Sequence, residues 1–113
     1  MPLGTRVKDV LLTMSRTPGR PGAALIIDAA QHLVGIFTDG DLRRLLERDH
    51  NQIGQAVDEF MGRAPKTIGP DAFLDDAERL LRAHKIDQIA VVDAAGKAVG
   101  LVDVQDLLDT RAG

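Results

Sequence analysis

The chain has 113 residues, 44% of them apolar, with a formal net charge of −3 from 14 basic and 17 acidic side chains; that length holds one domain or two very small ones. Well-mixed charge argues against a nucleic-acid or anionic-membrane surface, the scarcity of aromatic residues argues against base-stacking platforms, and the lack of cysteine excludes disulfides and thiolate metal sites. No apolar run approaches the ~18 residues of a membrane span and the first residues do not form a signal peptide, so a cytoplasmic protein is expected.

Val7, Val10, Leu11 and Met14 fall at i, i+3, i+4 and i+7, one face of a helix. The run Thr17-Pro-Gly-Arg-Pro-Gly ends it, because two prolines and two glycines forbid continuation. Residues 24–27 and 33–37 are short apolar runs around a polar connection at 28–32, which predicts a hairpin. Thr38 or Asp39 can cap the next helix, whose apolar face is Leu42, Leu45 and Leu46 and which stops around residues 49–51. Ile53, Val57, Phe60 and Met61 predict a short connecting helix, and Thr67-Ile68 a strand inside the extended stretch from Pro65 to Pro70. Phe73, Leu74, Ala77, Leu80 and Leu81 form a stripe on a helix that Asp71 can cap. Strands at 89–92 and 98–102, joined by residues 93–96, precede a last helix carrying Leu107 and Leu108.

The order repeats. Residues 35–41 read Gly-Ile-Phe-Thr-Asp-Gly-Asp and, 65 positions on, residues 100–106 read Gly-Leu-Val-Asp-Val-Gln-Asp. At the same offset Ile-Ile-Asp-Ala-Ala at 26–30 answers to Val-Val-Asp-Ala-Ala at 91–95. An internal duplication defines the architecture before any single residue does. The fold class is α/β (α+β), two helix–strand–strand–helix repeats at 1–50 and 65–113 with a connecting helix and linker at 51–64. Only the second copy shows a lead-in strand; that of the first either lies upstream or is missing.

This order, with Gly-h-h-Thr-x-x-Asp closing the first copy's second strand, resembles a tandem pair of CBS domains. The resemblance spans about Arg6 to Leu108. It implies a pseudo-twofold axis, a tendency to dimerise, and a regulatory role in which adenosyl compounds or other nucleotides bind in clefts between the repeats. The string Gly-Ile-Phe-Thr-Asp-Gly-Asp-Leu-Arg-Arg at 35–44 further resembles the C-terminal CBS segment of bacterial arabinose-5-phosphate isomerases. Those enzymes open the route to 3-deoxy-D-manno-octulosonate (Kdo), a component of lipopolysaccharide, and their chemistry belongs to an SIS-type sugar-isomerase domain. Nothing in this chain corresponds to that domain. The resemblance therefore implies the regulatory end of such an isomerase, or a free-standing relative, with no catalysis of its own.

Candidate ligand residues follow. Gly35 lets backbone approach a ligand closely. Thr38 sits where strand gives way to helix, so its hydroxyl and the first helical amides can hold a phosphate oxygen; the alternative is a helix cap alone, a role Asp39 could share. The resemblance gives Asp41 the two hydroxyls of a ribose. Arg43 and Arg44, one turn into the helix, can meet a second acidic group bidentately or form a solvated or dimer-facing surface. Arg16 and Arg20 flank the loop at 17–22 and could reach a phosphate. Asp87 and Gln88 precede the matching strand and could read a base edge. In the second copy Asp103 replaces the threonine and repels phosphate, or is an ordinary cap, while Asp106 keeps the ribose position. His32, His50 and His84 share no metal-ligand spacing. No metal or resident cofactor is expected. Two functions remain open: a sensor of a nucleotide or nucleotide-sugar, such as CMP-Kdo or an adenine nucleotide, or a homodimerisation unit with clefts that bind nothing.

Overall fold

The computed structural model describes residues 1–18, 21–48 and 50–105. The first repeat runs α1 (Val7–Arg16), β1 (Ala23–Ile27), β2 (Leu33–Thr38) and α2 (Asp39–Arg48). Two 3₁₀ turns, His50–Gly54 and Val57–Glu59, lead to β3 (Gly62–Arg63). The second repeat runs β4 (Thr67–Ile68), α3 (Leu74–His84), β5 (Gln88–Val92) and β6 (Ala98–Asp103). The last predicted helix, with Leu107 and Leu108, lies outside the described residues.

Each repeat folds its hairpin with the same geometry. β1 pairs antiparallel with β2, Ala24 opposite Phe37 and Ile26 opposite Gly35. β5 pairs antiparallel with β6, Ala90 opposite Leu101 and Val91 opposite Gly100. Asp28 closes the first turn, its carboxylate accepting from the amides of Ala30 and His32, both at 2.9 Å. Asp93 does the same with Ala95 at 2.9 Å and Lys97 at 3.0 Å. A short acidic side chain satisfies turn amides that no strand partner can reach, hence its recurrence.

The sheets are β1-β2-β3 and β4-β5-β6. β4 runs parallel to β5 and is the lead-in strand of the second repeat. The first repeat does have a counterpart, contrary to the expectation from sequence. Residues 1–3 lie parallel to β1, with Leu3 N donating to Ile27 O at 2.9 Å and Ile27 N to Met1 O at 2.8 Å. The pairing is reduced to one bridge, too short to leave a strand signature in the sequence. The hairpin tips join the two sheets: His32 bridges Lys97, and Leu33 N donates to Gly96 O at 3.1 Å.

The apolar stripes bury as their periods require. Val7, Val10 and Met14 of α1 pack with Ile26, Phe37, Leu45, Val57 and Met61 in the first core. Leu81 and Ile89 centre a smaller second core with Ile68, Ile86 and Val102. Three expectations fail. Leu46 is exposed, because Leu45 is the α2 leucine that points fully inward. Phe73 and Leu74 stand outside the core, 78% and 54% exposed. Asp71 does not cap α3; Asp76, inside the helix, accepts from Phe73 N at 3.3 Å and performs that task. A chain that enters the helix at residue 73 leaves Asp71 two residues ahead of the cap position, out of place to take the free amides.

Candidate functional site

The junction of β2 and α2 is built by Thr38. Its Oγ1 accepts from Asp41 N at 3.2 Å, and Asp41 Oδ2 accepts in return from Thr38 N at 2.9 Å. This reciprocal capping starts the helix at Asp39. Asp39 N donates to Gly22 O at 3.0 Å, tying the helix start to the entry of β1. The second repeat repeats the clamp: Val104 N donates to Asp87 O at 2.7 Å. Gly22 and Asp87 are thus equivalent positions of the duplication, one without a side chain and one with a carboxylate.

The two repeats face each other across an open cleft of about 650 Å³. Thr38, Asp39, Gly40, Arg43 and Arg44 line it from the first repeat, with Gly22 and Ile36. Ala64 of the linker, and Pro65, Lys66 and Lys85 to Gln88 of the second repeat, form the other wall. Four cationic and two anionic side chains border the space, so its field favours an anion. Among the described residues Arg43, Lys66 and Lys85 have no ion-pair partner. At one end Asp39 and Gln88 converge: a Cβ on Gly22 would stand 3.2 Å from Asp39 Oδ2 and 2.7 Å from Gln88 Nε2. On the α2 side a Cβ on Gly40 would stand 3.4 Å from Arg44 Nη1 and 3.6 Å from Thr38 Oγ1. The hydroxyl and the guanidinium therefore border the same short stretch of helix.

Of the residues singled out from sequence, Thr38, Asp39, Arg43, Arg44, Asp87 and Gln88 meet at this cleft. Gly35 does not. It is buried under Met61, whose Sδ would lie 2.3 Å from an added Cβ, so the glycine serves packing and not ligand approach. Asp41 also faces elsewhere. Its Oδ2 accepts from Thr38 Oγ1 at 3.1 Å and its Oδ1 accepts from Arg44, beside a separate recess of about 300 Å³. Arg16 ends α1, exposed and away from the cleft. Arg20 and Asp106 lie outside the described residues. Asp103 accepts from Gln105 N at 2.8 Å and from Gln88 Nε2 at 3.1 Å. That is the cap-like role expected of a carboxylate in the threonine's place.

Sequence reasoning missed Gly22, Lys66 and Lys85. For Lys85 a signal existed: it lies 65 positions after Arg20, the loop arginine already suspected of reaching a phosphate. For Lys66 there was none, because its counterpart 65 positions earlier is Met1, whose side chain carries no charge.

A duplicated α/β unit with a basic cleft between its halves defines a tandem-repeat architecture. The chain belongs to the CBS-domain family, whose profile matches residues 2–48 and 57–113. It is 36% identical over 111 residues to the arabinose 5-phosphate isomerase KdsD of Pseudomonas aeruginosa, a match covering 98% of this chain and 33% of that protein. A probable arabinose 5-phosphate isomerase of Haemophilus influenzae is 40% identical over 100 residues, covering 88% of this chain and 29% of the relative. The chain thus spans about a third of the length of these curated relatives. Among solved structures, CBSX2 in complex with AMP superposes with a TM-score of 0.75 at 28% identity, covering 98% of this chain and 87% of that one.

Proposed function

We propose that this CBS pair is the regulatory module of an arabinose-5-phosphate isomerase-like protein and senses an anionic nucleotide or nucleotide-sugar between its repeats. The observation that carries the reading is the cleft itself, where the Thr38 hydroxyl and Arg43, without an ion-pair partner among the described residues, face cations of the opposite repeat. A phosphate there meets the positive end of α2 and charge-assisted donors. The AMP bound by a relative of this fold supports the ligand class, and the isomerase relatives support the parent enzyme. CMP-Kdo or an adenine nucleotide would join a ribose phosphate near Thr38 to further polar contacts at Gln88. The parent protein would be cytoplasmic, would carry an SIS-type catalytic domain in the pathway to lipopolysaccharide, and would dimerise through this module. Ligand binding regulates only if one packing arrangement binds better than another; about 1–3 kcal/mol of coupling gives 5–150-fold effects.

Thermal-shift and calorimetric titration with AMP, ATP, CMP and CMP-Kdo test the proposal. A ligand at 100 times its dissociation constant adds about 2.7 kcal/mol of stability. Thr38→Val should weaken the phosphate ligand, and Gly22→Leu should abolish binding by filling the cleft where Gln88 and Asp39 converge. Silence from all four compounds, with a dimer intact in solution, would replace this reading by the second one. That second reading is a purely structural dimerisation module. It is favoured by Asp41, whose two oxygens are already engaged by Thr38 and Arg44 and which reaches a ribose only after Arg44 moves aside.

A further inference from the structure

Lys85 follows the last turn of α3, where the chain must turn into a left-handed conformation (φ 53°). Its amide donates to Arg82 O at 3.3 Å and Ile86 N donates to Leu81 O at 3.0 Å, the pairing that closes a helix C-terminus. Glycine is the favoured residue at such a position, because a Cβ there crowds the backbone. Here the position carries a long cationic side chain instead. That side chain has no ion-pair partner among the described residues and lines the cleft between the repeats. Ala64, the other non-glycine residue of the cleft wall with positive φ (50°), holds the linker that presents Lys66 on the same wall. Thr67 pairs with Ala90 in the parallel ladder, so Lys66 sits alongside the start of β5 and near the segment that begins with Lys85.

We infer that Lys85, assisted by Lys66, is the specificity-determining residue for a second anionic group on the ligand, separate from the phosphate facing Thr38 and Arg43. The inference rests on the proposed sensing role and narrows the ligand to compounds with two negative groups, held from opposite repeats. The second group can be a further phosphoryl unit or a sugar carboxylate. A ligand of this kind ties the linker and the second repeat to the helix of the first. A ligand with a single anionic group engages one wall alone.

The test compares AMP with ADP and CMP with CMP-Kdo by calorimetry on the full chain, as wild type, Lys85→Gln and Lys85→Gly. A charge-assisted contact corresponds to roughly tenfold or more in affinity, so at least one two-anion compound should bind wild type about tenfold tighter than its partner. ADP and CMP-Kdo distinguish the phosphoryl from the carboxylate source. Lys85→Gln should reduce that preference to below about threefold, weakening the two-anion compound more than its AMP or CMP partner. Lys85→Gly should lose the same preference while raising Tm by about 4 °C, because it removes the left-handed strain. Equal affinities within each pair in wild type, or a preference that survives Lys85→Gln, would overturn the inference. Failure of all four compounds to bind wild type would instead remove the sensing role, and this inference with it.

Discussion

Gly35→Ala provides the sharpest test of how the first repeat is packed. The β2 backbone at residue 35 pairs with Ile26 on one side and Arg63 on the other, so it cannot recede. An added Cβ would lie 2.3 Å from Met61 Sδ and 2.9 Å from both Met61 Cγ and Cε. Ordinary carbon contacts are about 3.5–4.0 Å, so the Met61 side chain must move by more than an ångström. It has little room, being 7% exposed within the first core and held by Met61 N donating to Val57 O at 2.9 Å. Overpacking of this kind costs about 1–3 kcal/mol, here near the upper end, or about 10 °C in Tm for a domain of this size. Met61→Ala alone should cost about 2 kcal/mol or more by cavity formation. In the double variant the alanine at 35 occupies space that Met61 has vacated, so the two costs should fall short of additivity by about 2 kcal/mol. Urea unfolding of the four proteins measures this directly. Additivity within about 0.5 kcal/mol would refute the packing role. A selective loss of nucleotide affinity with unchanged stability would instead return Gly35 to the ligand site.

Other outcomes follow from the same structure. Gln31 adopts φ 70° at the turn position where the second repeat has Gly96 at φ 82°, so Gln31→Gly should stabilise by about 1 kcal/mol in thermal unfolding. The backbone amide of His32 holds the Asp28 carboxyl below its ordinary value; desolvation opposes it, and the backbone amide of Ala30 lowers it further. A depressed folded value means that Asp28 stabilises the fold above the unfolded carboxylate value of about 3.9. The contribution disappears as pH falls through the lower folded value. The stability gap between wild type and Asp28→Ala should therefore be full above about pH 5 and shrink as pH falls below the unfolded carboxylate value of about 3.9; a gap that does not change on acidification would count against it. Phe37→Ala, at a position with no exposure, should cost about 3–5 kcal/mol. Phe73→Ala, 78% exposed, should change urea stability by less than about 0.5 kcal/mol.

Much of the architecture was legible from local chemistry. The 65-residue offset, the alternation of turn residues with apolar runs and the Thr38–Asp41 spacing depend on neighbours within a few positions or on direct self-similarity. They placed both hairpins, all three described helices and the capped junction at the cleft. What pairs across long separations was not legible. The single-bridge lead-in at residues 1–3, the methionine over Gly35 and the exposure of Phe73 each depend on which element arrives from elsewhere in the chain. The same holds for the cleft's second wall. Lys66 and Lys85 are ordinary polar residues in the sequence, and they face Arg43 only because the repeats pack with their hairpin ends together. Periodicity and capping act over one turn of backbone, whereas a binding surface is assembled from segments that the chain brings together only on folding.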